Sequence, residues 1–360
     1  MQNDLRIGIS CHSFCLDGGM GRYVLLLTRG LSSLGYRPVV ISKKIDTSLP
    51  EYEFIDPMKI NTTLIPQKLV DRYFNYRLGQ IRREKKLDLI LSCNRNTYSN
   101  IAMCGGTHIG YLRAMKKTPG FFDKRQIRLE KAYYEHCDLV IAHSKQMNHE
   151  LVNFYSVPEN KISVIYPPFS IKNFSVTSEE NRNALRQYFR FSNDKVIFLL
   201  PSAGNHFVKG FDLIAEYFSK TTLPIELVVA GRPIPSSYKN VRFIGFQKDM
   251  SKVYQAADFT ILPSRYEAFG QVGPESVACG TPVIFSNVVG SSEVIDEKAK
   301  LIFDWAKEGD VNRVVEQALK WANQGARLQN PLKLIHCQTD VVDHVKSVLN
   351  SWIEVTNERL

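Results

Sequence analysis

Two carboxylates, Glu267 and Glu275, stand with seven residues between them in the stretch DFTILPSRYEAFGQVGPESVACGTPVIFSNVVGSSE, residues 258–293. Glu267 precedes a glycine-containing turn and Glu275 falls in the first turn of the helix that follows. Carboxylates framing a turn at a strand's carboxyl end lie where α/β proteins bind phosphorylated ligands. The bland alternative for Glu275 alone is a favourable charge on the helix dipole. Three further places could meet an anion or a polar ligand. Gly18, Gly19 and Gly21 form a strand-to-helix turn that lets backbone N–H groups approach closely, and Arg22 follows them. Lys209-Gly210 stands just before a helix, with Asn205 and His206 in the same loop. His108 ends the run Gly105-Gly106-Thr107-His108, where a strand runs out. His12 lies in the first phosphate-type loop; the remaining histidines read as structural or surface.

The elements that must position these groups follow from apolar patterning. Asp258 to Leu262 predicts a short buried strand, Pro274 suits a first helical turn, Gly280 ends that helix, and Thr281 to Phe285 predicts the next strand. The unit is β–loop–α–β, which implies a parallel sheet. In the first half, Leu5 to Cys11 predicts a strand and Tyr23 to Leu34 a helix, with Val24, Leu25, Leu27 and Leu31 at helical spacing. Lys195 to Pro201 opens the second half as a fully buried strand. Periodicity fails after Tyr166-Pro167-Pro168-Phe169, which places a domain boundary near residue 168. The expected division is 1–167 and 168–340, with a last helix in 341–360 returning to the first domain and Trp352 as its anchor.

Taken together, Glu267, Ala268, Phe269, Gly270, then Pro274, Glu275, Ala278, Gly280, Thr281, Pro282 and Val283 resemble the signature of the retaining family 4 glycosyltransferases, with Gly290 and Glu293 at the positions that follow it. The resemblance implies the GT-B fold, an α/β architecture of two Rossmann-like parallel-sheet domains, with a nucleoside-diphosphate-sugar donor in the second and an acceptor in the first. It implies that Glu275 takes the ribose hydroxyls and Glu267 those of the donor sugar, that Lys209 binds the diphosphate, and that His108 lies against the sugar. Gly18, Gly19 and Arg22 fit the family's first loop over the phosphates, and Arg265, Phe269, Gly270, Gln271 and Val272 fall in the donor-binding stretch. The family's second phosphate-binding cation, an arginine five residues before the lysine, is Gly204 here. Arg22, Arg265, or the side chains of Asn205 and His206, are the candidates to replace it. Asn-Gly is usual in the family where this chain has Pro167-Pro168.

Composition bounds the rest. The 360 residues are 44% hydrophobic and 23% charged, which excludes a disordered chain. No run is long enough to span a bilayer, and MQNDLRIGIS carries no signal-peptide pattern. Seven cysteines, none in Cys-x-x-Cys, fit a reducing cytoplasm. Residues 1–167 hold 24 Lys+Arg against 15 Asp+Glu, whereas residues 168–360 hold 22 against 21. That asymmetry points to an anionic partner for the first half.

Expected, then, is a retaining glycosyltransferase in lipopolysaccharide or other cell-envelope polysaccharide synthesis. No Asp-x-Asp occurs, so no metal and no cofactor is expected. The basic first half suggests an anionic glycolipid or glycan acceptor and peripheral contact with the inner membrane surface; nucleic acid has no accompanying fold signature. Two alternatives stay open: a catalytically silent nucleotide-sugar-binding protein, and a nicotinamide-dependent oxidoreductase, although the G-x-G-x-x-G spacing is absent.

Overall fold

The structure is a computed structural model that describes residues 5–16, 18–169 and 171–357, apart from the side chain of Lys172. Asp17 of the first glycine loop and the last three residues of the 341–360 segment lie outside it. The chain divides into two compact units, 1–168 with 340–360, and 169–339.

In the first unit the strands are β1 (Ile7–Phe14), β2 (Val39–Ile45), β3 (Asp56–Lys59), β4 (Leu89–Ser92), β5 (Ile101–Cys104), β6 (Leu139–Ala142) and β7 (Ile162–Val164). They form one sheet in the order β3-β2-β1-β4-β5-β6-β7, every pair parallel. Helices α1 (Gly18–Ser33), α2 (Val70–Glu84), α3 (His108–Ala114), α4 (Phe121–His136) and α5 (Lys145–Tyr155) make the crossovers. The central strands are buried on both faces because parallel sheets are covered on both sides, hence runs such as Leu89–Ser92 with no exposed residue. Helix α1 starts at Gly18, five residues before the periodicity of its apolar face becomes visible at Tyr23. The glycines thus occupy its first turn instead of a loop before it.

The second unit holds β8 (Val196–Ser202), β9 (Ile225–Gly231), β10 (Val241–Phe243), β11 (Phe259–Leu262), β12 (Val283–Ser286) and β13 (Lys300–Phe303) in the order β10-β9-β8-β11-β12-β13. All its pairings are parallel. Its helices are α6 (Glu179–Tyr188), α7 (Phe211–Lys220), α8 (Met250–Ala256), α9 (Val272–Ala278) and α10 (Asp310–Asn323).

The final helix, α11 (Val341–Asn357), belongs to the first unit and packs on α1. Gly30 permits the approach: a Cβ there would stand 2.5 Å from Val345 Cγ2 and 2.9 Å from the Val341 carbonyl. Trp352 Nε1 donates to Asp138 Oδ2 at 3.1 Å, and Tyr23 OH meets His344 Nε2 at 2.9 Å inside the core. Among the described residues no helix is long and apolar enough to cross a membrane.

Candidate active site

In the second unit, β8 and β11 are neighbours although some 60 residues separate them, with Leu199 opposite Thr260. The strand order reverses between them, which is where open parallel sheets bind ligands, at the carboxyl ends. The loop leaving β8 carries Lys209 and the loop leaving β11 carries Glu267. Their side chains form an ion pair, half hidden, with 27% and 17% of their surface exposed.

Two glycines shape these loops. Gly210 caps α7 in the left-handed region, φ +71°, and a Cβ there would run into the carbonyl oxygen of Pro263 at the exit of β11. That carbonyl cannot easily retreat, since it accepts from Trp305 Nε1 at 3.0 Å. Gly270, φ +86°, brings the chain so near Glu267 that a Cβ would lie 3.0 Å from Glu267 Cγ. The Glu267 carbonyl accepts from Gly290 N at 3.2 Å, and that of Phe269 from Ser291 N at 2.6 Å, so this loop is tied down along its length. Phe269 is buried, Gln271 is the residue before α9, and Val272 begins the helix while packing beneath it.

Glu275 is almost wholly buried on α9 and its Oε2 accepts from Tyr254 OH on α8 at 3.0 Å. The tyrosine fixes the carboxylate in place, a partner that spacing alone does not reveal.

The other loop residues do structural work. Asn205 Oδ1 accepts from Phe207 N at 2.9 Å and Val208 N at 3.3 Å, closing the turn on its own side chain. His206 is held at both ring nitrogens, by Ser202 Oγ at 2.8 Å and the Pro233 carbonyl at 2.9 Å. Arg265 grips Asp212 at two points, 2.6 and 2.7 Å, donates to the Phe207 carbonyl at 2.6 Å, and lies 4.0 Å over the Phe207 ring. As a replacement for the missing phosphate-binding arginine, Arg265 is therefore already compensated by a carboxylate. It clasps the Lys209 loop to the exit of β11, aided by its own N–H to the Val208 carbonyl at 2.8 Å. Gly204 lies alongside Lys209: a Cβ there would be 3.7 Å from Lys209 Cε.

Gly18, Gly19, Arg22 and His108 lie in the first unit. Gly18 takes φ +66°, and nothing crowds the Cα of Gly18 or Gly19; Arg22 is exposed on α1. His12 is exposed near the end of β1. His108 opens α3 behind the cap Thr107, its Nε2 lies 2.8 Å from Asp123 Oδ1, and its backbone N–H donates to Glu130 Oε2 at 2.7 Å. Glu130 is fully buried, takes Arg95 Nε at 2.9 Å and Nη2 at 2.6 Å, and is reached by the Tyr155 hydroxyl. Burial beside this carboxylate pushes the Tyr155 hydroxyl well above its usual range. In the sequence Glu130 looks like a surface charge, a single glutamate in a basic helix. Among the described residues no group of three or more His, Cys, Asp or Glu side chains is placed to hold a metal ion.

Two parallel-sheet units, the second presenting a lysine paired with the first glutamate of an E-x7-E loop, define a glycosyltransferase of the GT-B class. The sequence bears this out: residues 17–173 match Glycosyltransferase Family 4 and residues 194–324 match Glycosyl transferases group 1. A "probable transglycosylase" of Burkholderia thailandensis is 38% identical over 359 residues, covering 99% of each chain. Mannosylfructose-phosphate synthase of Agrobacterium fabrum is 26% identical over 324 residues, 74% of this chain and 70% of its own. Among solved structures, WaaG, a glycosyltransferase involved in lipopolysaccharide biosynthesis, superposes with a TM-score of 0.74 at 16% identity, covering 96% of this chain and 95% of WaaG. Anabaena HepE in complex with UDP and glucose gives 0.71 at 16% identity, covering 96% and 99%. The chain belongs to the family 4, group 1 glycosyltransferases, and the nicotinamide-dependent alternative falls away.

Proposed function

We propose that this glycosyltransferase moves a sugar, with retention of anomeric configuration and without a metal ion, from a nucleoside-diphosphate-sugar to an anionic glycan or glycolipid acceptor in cell-envelope polysaccharide synthesis. The observation that carries the donor reading is the Lys209–Glu267 ion pair at the switch point of the second sheet. In the free protein the ammonium neutralises the carboxylate. An arriving pyrophosphate offers the ammonium a stronger partner, and Glu267 is released to accept the sugar hydroxyls, with Glu275, braced by Tyr254, on the ribose. As the glycosidic bond to the diphosphate breaks, the leaving oxygen gains charge that Lys209 meets. The acceptor hydroxyl bonds to the same face of the anomeric carbon and passes its proton to the departing diphosphate oxygen, with Glu267 orienting the sugar and not forming a covalent bond to it. His108, held by Asp123, is assigned to the donor sugar, and the first unit to the acceptor. The solved UDP complex of a fold relative supports a nucleotide donor, and the biosynthetic role named for WaaG supports the envelope setting. The excess of cations in residues 1–167 supports an anionic acceptor and a place at the cytoplasmic face of the membrane.

The test is to incubate the protein with UDP-, GDP- and ADP-sugars and a lipid-linked glycan acceptor, with and without EDTA, and to read the new linkage by proton NMR. A product with the donor's anomeric configuration, formed equally in EDTA, is expected; an inverted linkage or loss of turnover in EDTA refutes the mechanism.

A further inference from the structure

Of the cations in residues 68–131, those on α2 and directly after it are partly committed within the unit. Arg82 donates to the Tyr98 carbonyl at 2.8 Å and to Asn100 Oδ1 at 3.2 Å, Lys85 pairs with Asp56 at 3.2 Å, and Arg77 donates to Gln80 at 2.5 Å. The start of α4 is different. Helix α4 buries Glu130, Tyr133 and Tyr134, yet its first two residues, Phe121 and Phe122, are 74% and 68% exposed, edge to face with centroids 5.6 Å apart. Core packing does not use them. Four residues beyond Phe121, on the same helical face, Arg125 donates to the Lys68 carbonyl at 2.6 Å. That bond draws in the segment Gln67–Leu69 before α2, where Leu69 is exposed and Leu64 just upstream is 93% exposed. The same bond ties the helix start that bears the two rings to a second segment with exposed apolar side chains.

Cations surround them. Lys116 and Lys117 stand in the exposed run that leads into α4, Lys124 and Arg128 are exposed on its next turns, and Lys68 is exposed beside Leu69. The carboxylate within this patch, Asp123, is occupied by the Gly120 N–H at 2.9 Å and by His108. Aromatic rings ringed by lysine and arginine match an interface with apolar depth below and negative charge at its surface. A soluble polyanion would meet the charge but leave the rings in water.

We infer that the Phe121–Phe122 tip of α4, with Leu64 and Leu69, is a docking surface that inserts into an anionic lipid bilayer, the surrounding cations lying at the headgroups. This deepens the membrane contact proposed above; for the lipid-borne acceptor it rests on that reading, and for the surface itself it does not. The docking helix also carries Asp123, the residue directly after Phe122 and the one that holds His108, so a lipid-anchored acceptor would arrive at that end of the first unit.

The test is co-sedimentation of the full-length protein with phosphatidylcholine vesicles containing or lacking phosphatidylglycerol. Wild type should sediment with the anionic vesicles alone. F121S/F122S should weaken this by about tenfold or more per ring inserted, and K116Q/K117Q by about fivefold for each cation removed. R83Q/K86Q, which makes the same charge change at the end of α2, should have little effect. Binding of a nucleoside diphosphate by F121S/F122S should match wild type, showing that the chain is folded and keeping donor-site failure separate from docking failure. The inference is overturned if wild type ignores anionic vesicles, if F121S/F122S binds them as wild type does, if the two charge variants lose binding equally, or if the patch proves to join two copies of this chain, read as a dimer by ultracentrifugation that F121S/F122S dissolves.

Discussion

Replacing Glu267 by Gln should tighten nucleoside diphosphate binding while it removes turnover. In the structure, Lys209 spends its charge on Glu267, so a diphosphate must displace that carboxylate before it can use the ammonium. A charge-assisted hydrogen bond contributes about 1.5–3 kcal/mol when sheltered, whereas a fully exposed pair contributes about 0–1. With 27% and 17% of the two side chains exposed, the pair lies between these limits, and about 1 kcal/mol is the net cost of opening it. Glu267→Gln keeps the shape and removes the competing charge, so the dissociation constant of the diphosphate should fall about fivefold. Calorimetric titration of wild type and variant with UDP, GDP and ADP measures this directly. The same variant should lose the contact made by the carboxylate to the sugar hydroxyls, and kcat should fall even as the product binds more tightly. A variant that binds the diphosphate no better than wild type would refute the idea that Glu267 is the resting counterion of a phosphate-binding Lys209.

Three further outcomes follow. Lys209→Ala should lower kcat by about two to three orders of magnitude, the usual effect of losing one well-aimed donor at a developing negative charge, read by release of the nucleoside diphosphate. Gly210→Ala must find room where the Pro263 carbonyl stands and must hold φ +71° with a Cβ; it should cost about 1–3 kcal/mol of stability and raise the donor KM with it, measured by denaturant unfolding and initial rates. Burial holds the His344 ring at a pKa of about 4 against the ordinary 6.5. The neutral form is the one the fold accepts, so this contribution is complete above pH 6.5 and is lost as pH falls from 6.5 towards 4, at about 1.4 kcal/mol per pH unit. Denaturation midpoints across that window should show the slope in wild type and a shallower one in His344→Gln.

What the chain disclosed by itself was local. The apolar runs at 196–202 and 259–262 and the glycines after them belong to short segments whose periodicity and turn chemistry are complete within a few residues, so the β–loop–α–β unit around Glu267 could be read directly. Partners distant in sequence could not. Arg265 meets Asp212 across 53 residues, and an aspartate in the first turn of α7 looks like an ordinary dipole charge; that pairing ties the Lys209 loop to the exit of β11. Strand β3, Asp56–Lys59, has no apolar run because it is the edge of its sheet, where Pro57 is tolerated. The start of α4 defied pattern for the opposite reason: its Phe121 and Phe122 are apolar but face water, so their spacing says nothing about a core. Charge counting found the basic half, and only the fold separated the cations spent on α2 from those around the exposed rings.

The most direct test of the account is thermal unfolding of the full chain and of Lys209→Ala in the presence of UDP-, GDP- and ADP-sugars. The account predicts that at least one of these donors stabilises wild type, by about 2.7 kcal/mol at a hundred times its dissociation constant, and that the variant loses most of that gain. If no nucleotide sugar stabilises wild type in millimolar excess, or if the variant is stabilised equally, the donor site is not where Lys209 and Glu267 meet.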